Sequence, residues 1–102
     1  MNMNQLEASF IQWAKDRGIY ECSDSKTQLL KAVSEIGELA DAVCKGQHEK
    51  IVDGIGDAIV CLAHVAFMSG TDLNECMYKA WEEIKDRKGR MVEGGVFVKD
   101  ES

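Results

Sequence analysis

Residues 48–69 read HEKIVDGIGDAIVCLAHVAFMS, and this stretch decides the predicted fold class. At about 100° per residue, its apolar side chains cover nearly the whole circumference of a helix, a pattern typical of helices buried on all sides. Asp53, Asp57 and His64 nevertheless fall within about 40° of one another on that helix. Buried carboxylates are costly unless a cation or hydrogen-bond donors compensate them. The stretch therefore predicts a buried helix with a narrow acidic stripe that needs a partner.

Three other helical patterns accompany this one, and glycines or small polar residues separate the four. The patterns run over about residues 3–17, 26–45, 48–69 and 72–88. Residues 19–24 are expected to form a connection, and residues 89–102 a short irregular C-terminal arm. Because the chain has no proline and is rich in helix-forming residues, we expect an all-α fold. This fold is a four-helix bundle in one domain that spans residues 1–102.

Capping signals and apolar stripes mark the predicted helices. Ser25 followed by Gln28 is a capping-box pattern at the start of the second helix, and Thr71 or Asp72 is the expected cap of the fourth. Apolar residues at helical spacing predict which side of the second helix faces the core. This stripe consists of Leu29, Leu30, Val33, Ile36, Ala40 and Val43.

The composition argues against several classes of partner. With 45% apolar residues and a net charge of −6, the chain can form a core but lacks the basic surface typical of nucleic-acid-binding proteins. The N-terminal segment does not resemble a signal peptide, and the apolar run 58–68 is too short to span a bilayer. The four cysteines form no C-x-x-C pair and are expected to be reduced packing residues. We expect a cytoplasmic protein that binds neither a nucleic-acid polymer nor a membrane.

Glu35 and Glu38 stand one turn apart on the face of the second helix that lies away from its apolar stripe. If this face met Asp53 and Asp57, four carboxylates would crowd together and repel one another. Mg²⁺ would relieve the repulsion, because it prefers oxygen ligands and keeps several waters, which leave room for substrate phosphates. The simpler alternatives are solvated surface acids on the second helix, caps or salt-bridge partners for the two aspartates, and a core position for His64.

The segment SEIGELADA at 34–42, followed by DGIGDA at 53–58, resembles the motifs of the MazG-like all-α nucleoside triphosphate pyrophosphohydrolases. That family carries E-E-x-x-E on one helix and E-x-x-D on the next. The short length and the ending WEEIKDRKGRMVEGGVFV at 81–98 resemble its small phage-type branch. The resemblance implies the MazG-like form of the four-helix bundle.

Two positions depart from these motifs, because Ser34 and Gly54 stand where glutamates are expected. Asp53, four residues before Asp57 and on the same helical face, is the expected substitute for the second glutamate. The loss of two glutamates points to one metal rather than two, or to reduced activity. The resemblance implies four metal ligands, which we name the motif carboxylates: Glu35, Glu38, Asp53 and Asp57.

The family likeness implies a hydrolase that requires Mg²⁺, for which Mn²⁺ can substitute, and that converts a nucleoside triphosphate into a monophosphate and pyrophosphate. An activated water would attack near the α–β phosphate bridge, with Glu35, Glu38 and Asp57 as catalytic carboxylates. Two alternatives belong to other classes of protein. One is a nucleotide-binding module that has lost activity through its motif departures, and the other is a purely structural helical oligomer.

Substrate contacts outside the motifs are also implied. The basic residues Lys85, Arg87 and Lys88 would contact the triphosphate, although cations near a helix C-terminus also suit the helix dipole. Trp13 would stack on the base, with a core position as an equal alternative.

Four short helices with an apolar third helix are too few to cover their own core, so helices of a second subunit are expected to complete the bundle. The family resemblance implies the same kind of assembly. We expect a homo-oligomer, either a tetramer or a dimer, located in the cytoplasm of a host cell if the chain is phage-encoded.

Overall fold

The fold is described by a computed structural model of residues 1–101, which form five α-helices followed by a two-stranded hairpin. The helices are α1 (Met3–Asp16), α2 (Ile19–Cys22), α3 (Ser25–Lys45), α4 (His48–Met68) and α5 (Leu73–Ile84). The strands are β1 (Gly89–Val92) and β2 (Val96–Lys99). The chain is mostly helical, as predicted, and the four predicted helices correspond to α1, α3, α4 and α5.

Two segments that were predicted to be irregular have regular structure. The predicted connection contains α2, which follows Gly18 in the left-handed conformation (φ 71°). The predicted irregular arm is instead an antiparallel hairpin in which β1 pairs with β2. Gly94 and Gly95 have φ values of 95° and 80°, which allow the tight turn at no steric cost.

The predicted end of the fourth helix was also wrong, because α5 ends at Ile84 rather than near residue 88. Beyond it, the backbone carbonyl of Lys88 accepts a hydrogen bond from the N–H of Asp100 at 2.8 Å. Pairing with the end of the chain therefore prevails over the helix-forming composition of this segment.

The predicted capping box was wrong by one residue. Asp24 rather than Ser25 is the N-cap of α3, because its carboxylate accepts a hydrogen bond from the Thr27 N–H at 2.7 Å. Gln28, the other predicted member of the box, is buried. The prediction of Asp72 as a cap is confirmed, since its side chain accepts a hydrogen bond at 2.7 Å from the first turn of α5.

Helices α3 and α4 form an antiparallel pair joined by a two-residue connection, in which Gly46 is left-handed (φ 65°). The pair is closely packed because small residues lie between the helices. A Cβ added at Gly54 would stand 3.3 Å from Cβ and from Cδ1 of Leu39. The buried residues of the pair are Gln28, Ala32, Ala42, Gly54, Ala58, Cys61, Ala63, His64 and Ala66.

The predicted core stripe of the second helix was wrong for a single chain. Val33, Ile36 and Val43 are 57%, 49% and 56% exposed, and Leu29 and Leu30 are exposed as well. The reason is that α3 contacts α4 through small residues, so the large apolar side chains of α3 point away from the contact.

Helix α4 likewise buries one side rather than its whole circumference. Val52, Ile55 and Ile59 are 56%, 47% and 42% exposed. Asp53 and Asp57 are exposed too, so their predicted burial does not occur within one chain. We name the exposed apolar surface of α3 and α4 the apolar face.

The chain is extended for its length. Its radius of gyration is 16.3 Å, whereas a compact domain of about 100 residues has about 13 Å. Helix α5, all of which the structure describes, contains no buried residue. It is held to α1 by the buried carboxylate of Glu7, which accepts a hydrogen bond from the Leu73 N–H at 2.8 Å.

By length and mean hydropathy (1.8), α4 is the one helix within residues 1–101 that could cross a membrane. A third (33%) of its most apolar window is buried against the rest of the chain. A buried core helix meets the same criteria, so a single helix of this kind is weak support for a membrane span. That no membrane binds the chain stays a prediction.

Candidate functional site

A cleft of about 670 Å³ lies between the polar sides of α3 and α4, and we name it the carboxylate cleft. It brings all four motif carboxylates together. Its lining consists of Ser34, Glu35, Gly37, Glu38, Leu39, Asp41, Ala42, Gln47, Lys50, Asp53, Gly54 and Asp57. Both positions that depart from the family motifs, Ser34 and Gly54, therefore lie in the same cleft as the carboxylates.

The contact between Gly54 and Leu39 explains how the carboxylates come to share one cleft. Because a glycine is present, the α4 backbone lies close to Leu39. With Leu39 opposite Gly54 in an antiparallel pair, Glu38 and Asp53 each adjoin this contact, and Glu35 and Asp57 lie one turn further along their helices in the same direction. A glutamate at position 54 would begin at a Cβ already in tight contact with Leu39.

The chemistry of the motif carboxylates fits a hard divalent cation, because their oxygens are the ligands that Mg²⁺ prefers. Within residues 1–101, however, no group of three or more His, Cys, Asp or Glu side chains is arranged to hold a metal ion. Mg²⁺ is commonly held by one or two carboxylates together with waters and substrate phosphates, so it does not require a complete protein cage. The four motif carboxylates line one cleft without forming a complete set of metal ligands.

A second cleft of about 590 Å³ adjoins the first, and we name it the aromatic cleft. Its lining consists of Ser9, Phe10, Trp13, Ile19, Gln28, Lys31, Glu35, Asp57, Val60, Cys61 and His64. Glu35 and Asp57 line both clefts, so the two clefts adjoin at these carboxylates. Trp13 is 46% exposed, and the Arg17 guanidinium lies over its ring, 4.3 Å from the centroid, so a base stacked on that face would displace Arg17.

His64 is a core residue that also lines the aromatic cleft, and it is 2% exposed. Its Nδ1 lies 2.8 Å from the Tyr20 hydroxyl, and its ring lies 6.4 Å from the Trp13 ring at an interplanar angle of 12°. Burial lowers the pKa of His64, and nearby Lys31 lowers it further. A neutral imidazole at pH 7 therefore stands beside Trp13.

Tyr20 was not predicted to belong to the site, since it falls in the segment interpreted as a connection. Burial raises the pKa of Tyr20, and the charge of Glu7 raises it further. Its hydroxyl therefore stays protonated at pH 7 and can donate to Nδ1 of His64. This contact depends on α2, for which the sequence pattern gave no signal.

The junction of the two clefts is charged. Burial raises the pKa of the Cys61 thiol, Lys31 acts in the opposite direction, and Glu35 and Asp57 raise the pKa further. Cys61 is the one buried cysteine of the four, all of which are free thiols in the described chain. The predicted packing role is therefore confirmed for Cys61, whereas the other three cysteines are exposed.

Two lysines of the clefts were also missed. Lys31 stands four residues before Glu35, and Lys50 stands three residues before Asp53. These spacings place each lysine on the same helical face as a carboxylate. Both lysines could therefore have been predicted to line the site from their spacing of three or four residues from a motif carboxylate.

Lys85, Arg87 and Lys88 line neither cleft in a single chain. Lys85 pairs with Glu82 at 2.8 Å, and the other two residues lie in a separate cleft beside the end of β2. The predicted contact of these residues with a triphosphate therefore requires a neighbouring copy, and it stays a prediction.

Comparison with known proteins gives one similar curated protein, from Haemophilus phage HP1 (strain HP1c1). It is an uncharacterized 18.2 kDa protein of the rep–hol intergenic region, 35% identical over 71 residues. The match covers 70% of this chain but 44% of the phage protein, so this chain spans less than half the length of that relative. No protein-family profile matches the chain, and no solved structure is significantly similar to it. The chain is thus similar to a phage-encoded protein.

Proposed function

We propose that the chain is a MazG-like nucleoside triphosphate pyrophosphohydrolase that depends on Mg²⁺ or Mn²⁺. The observation that carries the proposal is that Glu35 and Asp57 line both clefts, so that the two clefts adjoin. A nucleotide has an aromatic base at one end and phosphates at the other. An aromatic cleft joined to a carboxylate cleft offers complementary surfaces to both ends, provided that a cation is shared with the phosphates.

The proposed reaction needs positioning more than covalent chemistry. The motif carboxylates would hold the cation, which when bound neutralises phosphate charge and makes a water more acidic. The water oxygen bonds to the phosphorus at the α–β bridge, the bridging P–O bond breaks, and pyrophosphate leaves with the electron pair. One of the catalytic carboxylates, Glu35, Glu38 or Asp57, orients the water and accepts its proton. Trp13 stacks on the base.

A homo-oligomer, a dimer or a tetramer, is part of the proposed function. Support comes from the apolar face, whose large side chains are about half exposed, and from the extended shape of the chain. Monomeric proteins rarely expose a continuous apolar surface of this kind. A second copy packed on the apolar face would complete a four-helix arrangement of two α3–α4 pairs. The carboxylate cleft, on the polar side of each pair, would stay accessible.

The second candidate function is a nucleotide-binding module with weakened or absent catalysis. Support comes from Ser34 and Gly54, which line the carboxylate cleft where two glutamates are expected. A protein of this kind would bind nucleotides with Mg²⁺ but would not release pyrophosphate. Either function fits a protein in the cytoplasm of a host cell, as proposed for a relative of a phage protein.

A substrate panel tests the proposal directly. Canonical, methylated and oxidised nucleoside triphosphates would be incubated with the protein in the presence of Mg²⁺, Mn²⁺ or a chelator, and pyrophosphate and monophosphate would be measured. We expect metal-dependent release of pyrophosphate from at least one member of the panel. Nucleotide binding without pyrophosphate under any condition would contradict catalysis and favour the second candidate. If no metal or nucleotide raised the melting temperature either, both candidates would fail.

A further inference from the structure

Two buried polar side chains line the aromatic cleft, and the proposed reaction at phosphorus uses neither of them. His64 is 2% exposed and Gln28 is 9% exposed. The hydrogen bond of His64 is made by Nδ1, 2.8 Å from the Tyr20 hydroxyl, and the Gln28 Nε2 donates to Ser23 Oγ at 3.1 Å. Within residues 1–101, Nε2 of His64 and Oε1 of Gln28 have no hydrogen-bond partner.

These two remaining polar atoms are open to the aromatic cleft. No fully buried side-chain nitrogen or oxygen in the described part of the chain lacks a hydrogen-bond partner. The small exposed part of His64 therefore includes Nε2, and that of Gln28 includes Oε1. The aromatic cleft is lined by both residues, so a ligand in this cleft can reach both atoms.

The neighbouring segment around α2 fixes the hydrogen-bonding role of each side chain. Burial lowers the pKa of His64 and raises that of Tyr20, so at pH 7 a neutral imidazole accepts from the Tyr20 hydroxyl at Nδ1 and carries its proton on Nε2. The amide of Gln28 is held through its nitrogen by Ser23, which leaves its oxygen as an acceptor. The cleft therefore presents one fixed donor and one fixed acceptor.

A donor and an acceptor in an aromatic cleft are complementary to the edge of a nucleobase. Purines and pyrimidines carry hydrogen-bond acceptors and donors side by side on a planar ring, in an order that differs between bases. A base that presents the wrong group would leave a buried polar atom unpaired, which costs more than a missing apolar contact. The two side chains can therefore discriminate between bases, which the metal and the phosphates cannot do.

We propose that His64 and Gln28 select the base of the nucleotide, with His64 Nε2 donating to an acceptor of the base and Gln28 Oε1 accepting from a donor. This inference rests on the proposed function. Tyr20 is a positioning residue, because it keeps the imidazole proton on Nε2 without touching the base.

Isothermal titration in the presence of Mg²⁺ tests the selection of the base without turnover. The probes are the α,β-methylene analogues of dATP, dCTP, dGTP and dTTP, and inorganic tripolyphosphate, which has no base. The variants are His64→Phe and Gln28→Met, which keep a side chain of similar size. The matched controls are His48→Phe and Gln12→Met, at exposed positions that line neither cleft. Circular dichroism verifies that each variant is folded.

We expect the wild type to bind its preferred base at least about 10-fold more tightly than the least preferred one. His64→Phe and Gln28→Met should each weaken binding of the preferred analogue about 10-fold and leave tripolyphosphate binding unchanged, and the controls should match the wild type. Equal affinity of the wild type for all four bases would overturn the inference. Unchanged binding of the preferred analogue in either variant, or equal weakening of tripolyphosphate, would do the same. If the wild type bound none of the nucleotide analogues, the proposed function would fail as well.

The role of Tyr20 is tested on the free protein by long-range ¹H–¹⁵N NMR of His64, which shows which ring nitrogen carries the proton. We expect the proton on Nε2 in the wild type and on either nitrogen in Tyr20→Phe, together with about threefold weaker binding of the preferred analogue. A proton on Nδ1 in the wild type would overturn the assignment of His64 as a donor to the base.

Discussion

The α3–α4 pair and the C-terminal region, which comprises α5 and the hairpin, differ in how they are held. The pair contains most of the buried residues of the described chain, whereas α5 contains none. The acidic residues predicted for the site lie on the pair and come together in one cleft. The basic residues predicted for the site lie in the C-terminal region and do not reach that cleft. The predicted site residues therefore come together only where they lie on closely packed helices.

Replacing a carboxylate of the pair should have the largest effect. Because Glu38 is a proposed metal ligand, we expect Glu38→Gln to reduce pyrophosphate release by at least about 100-fold while the protein stays folded. The matched control is Glu83→Gln, in the C-terminal region and outside both clefts. Turnover is measured by pyrophosphate release, and folding by circular dichroism. Unchanged turnover in Glu38→Gln, or an equal loss in Glu83→Gln, would remove the functional difference between the two regions.

The apolar face of the pair provides the next test. Ile36→Glu introduces a charge where a second copy is proposed to pack, and a buried unpaired charge is costly. We expect this variant to sediment with the mass of a single chain in analytical ultracentrifugation, whereas the wild type sediments as a dimer or tetramer. Thr27→Glu adds the same charge on the opposite side of α3 and should leave the assembly intact. A wild type that sediments as a monomer would refute the proposed interface.

Substitution at the contact between Gly54 and Leu39 should have a more moderate effect on stability and turnover. Gly54→Val places a branched side chain against Leu39, so we expect a loss of about 1–3 kcal/mol in unfolding free energy together with reduced turnover. Gly56→Ala is the control on the same helix, because a Cβ there meets nothing within 4 Å. It should gain up to about 1 kcal/mol from helix propensity. Denaturant unfolding measures both, and equal stability of the two variants would contradict close packing at Gly54.

The smallest expected effect is the dependence of stability on pH through His64. Burial lowers its pKa in the folded state below the ordinary value of about 6.5, so the unfolded chain binds a proton more readily. The stability contributed by His64 is fully present above pH 6.5 and is lost progressively as the pH falls toward the folded-state value. We expect the melting temperature of His64→Gln to fall less than that of the wild type when the pH is lowered from 7.5 to 5.5. His48→Gln, at the exposed start of α4, should behave like the wild type.

Much of this architecture was predictable from local patterns. Glycines and helical periodicity predicted four of the five helices, and the cap predicted at Asp72 is present in the structure. The motif carboxylates were predicted to meet, because residues three or four apart on a helix share a face and two consecutive helices pair. Helix α2 was missed because its contact with His64 joins residues far apart in the sequence. The hairpin pairs nearby residues across Gly94 and Gly95, so its signal was local but was interpreted as an irregular arm.

Burial was the least predictable property. Apolar spacing identified which residues share a face of α3 but not whether that face meets α4 or solvent. Gly54, interpreted from the sequence as a departure from a motif, proved to be a point of close contact between the two helices. The same periodicity is expected for a core face and for an interface between copies, so spacing alone does not separate them.

The sequence by itself determined the helical class of the chain and the identity of its acidic cluster, because both depend on spacing within a helix. Only the tertiary structure decided what surrounds that cluster. It placed Lys50 in the carboxylate cleft, joined that cleft to the aromatic one and kept Lys85 and Lys88 outside both. These outcomes depend on how helices distant in sequence pack, and that packing follows from the volumes of the side chains between them.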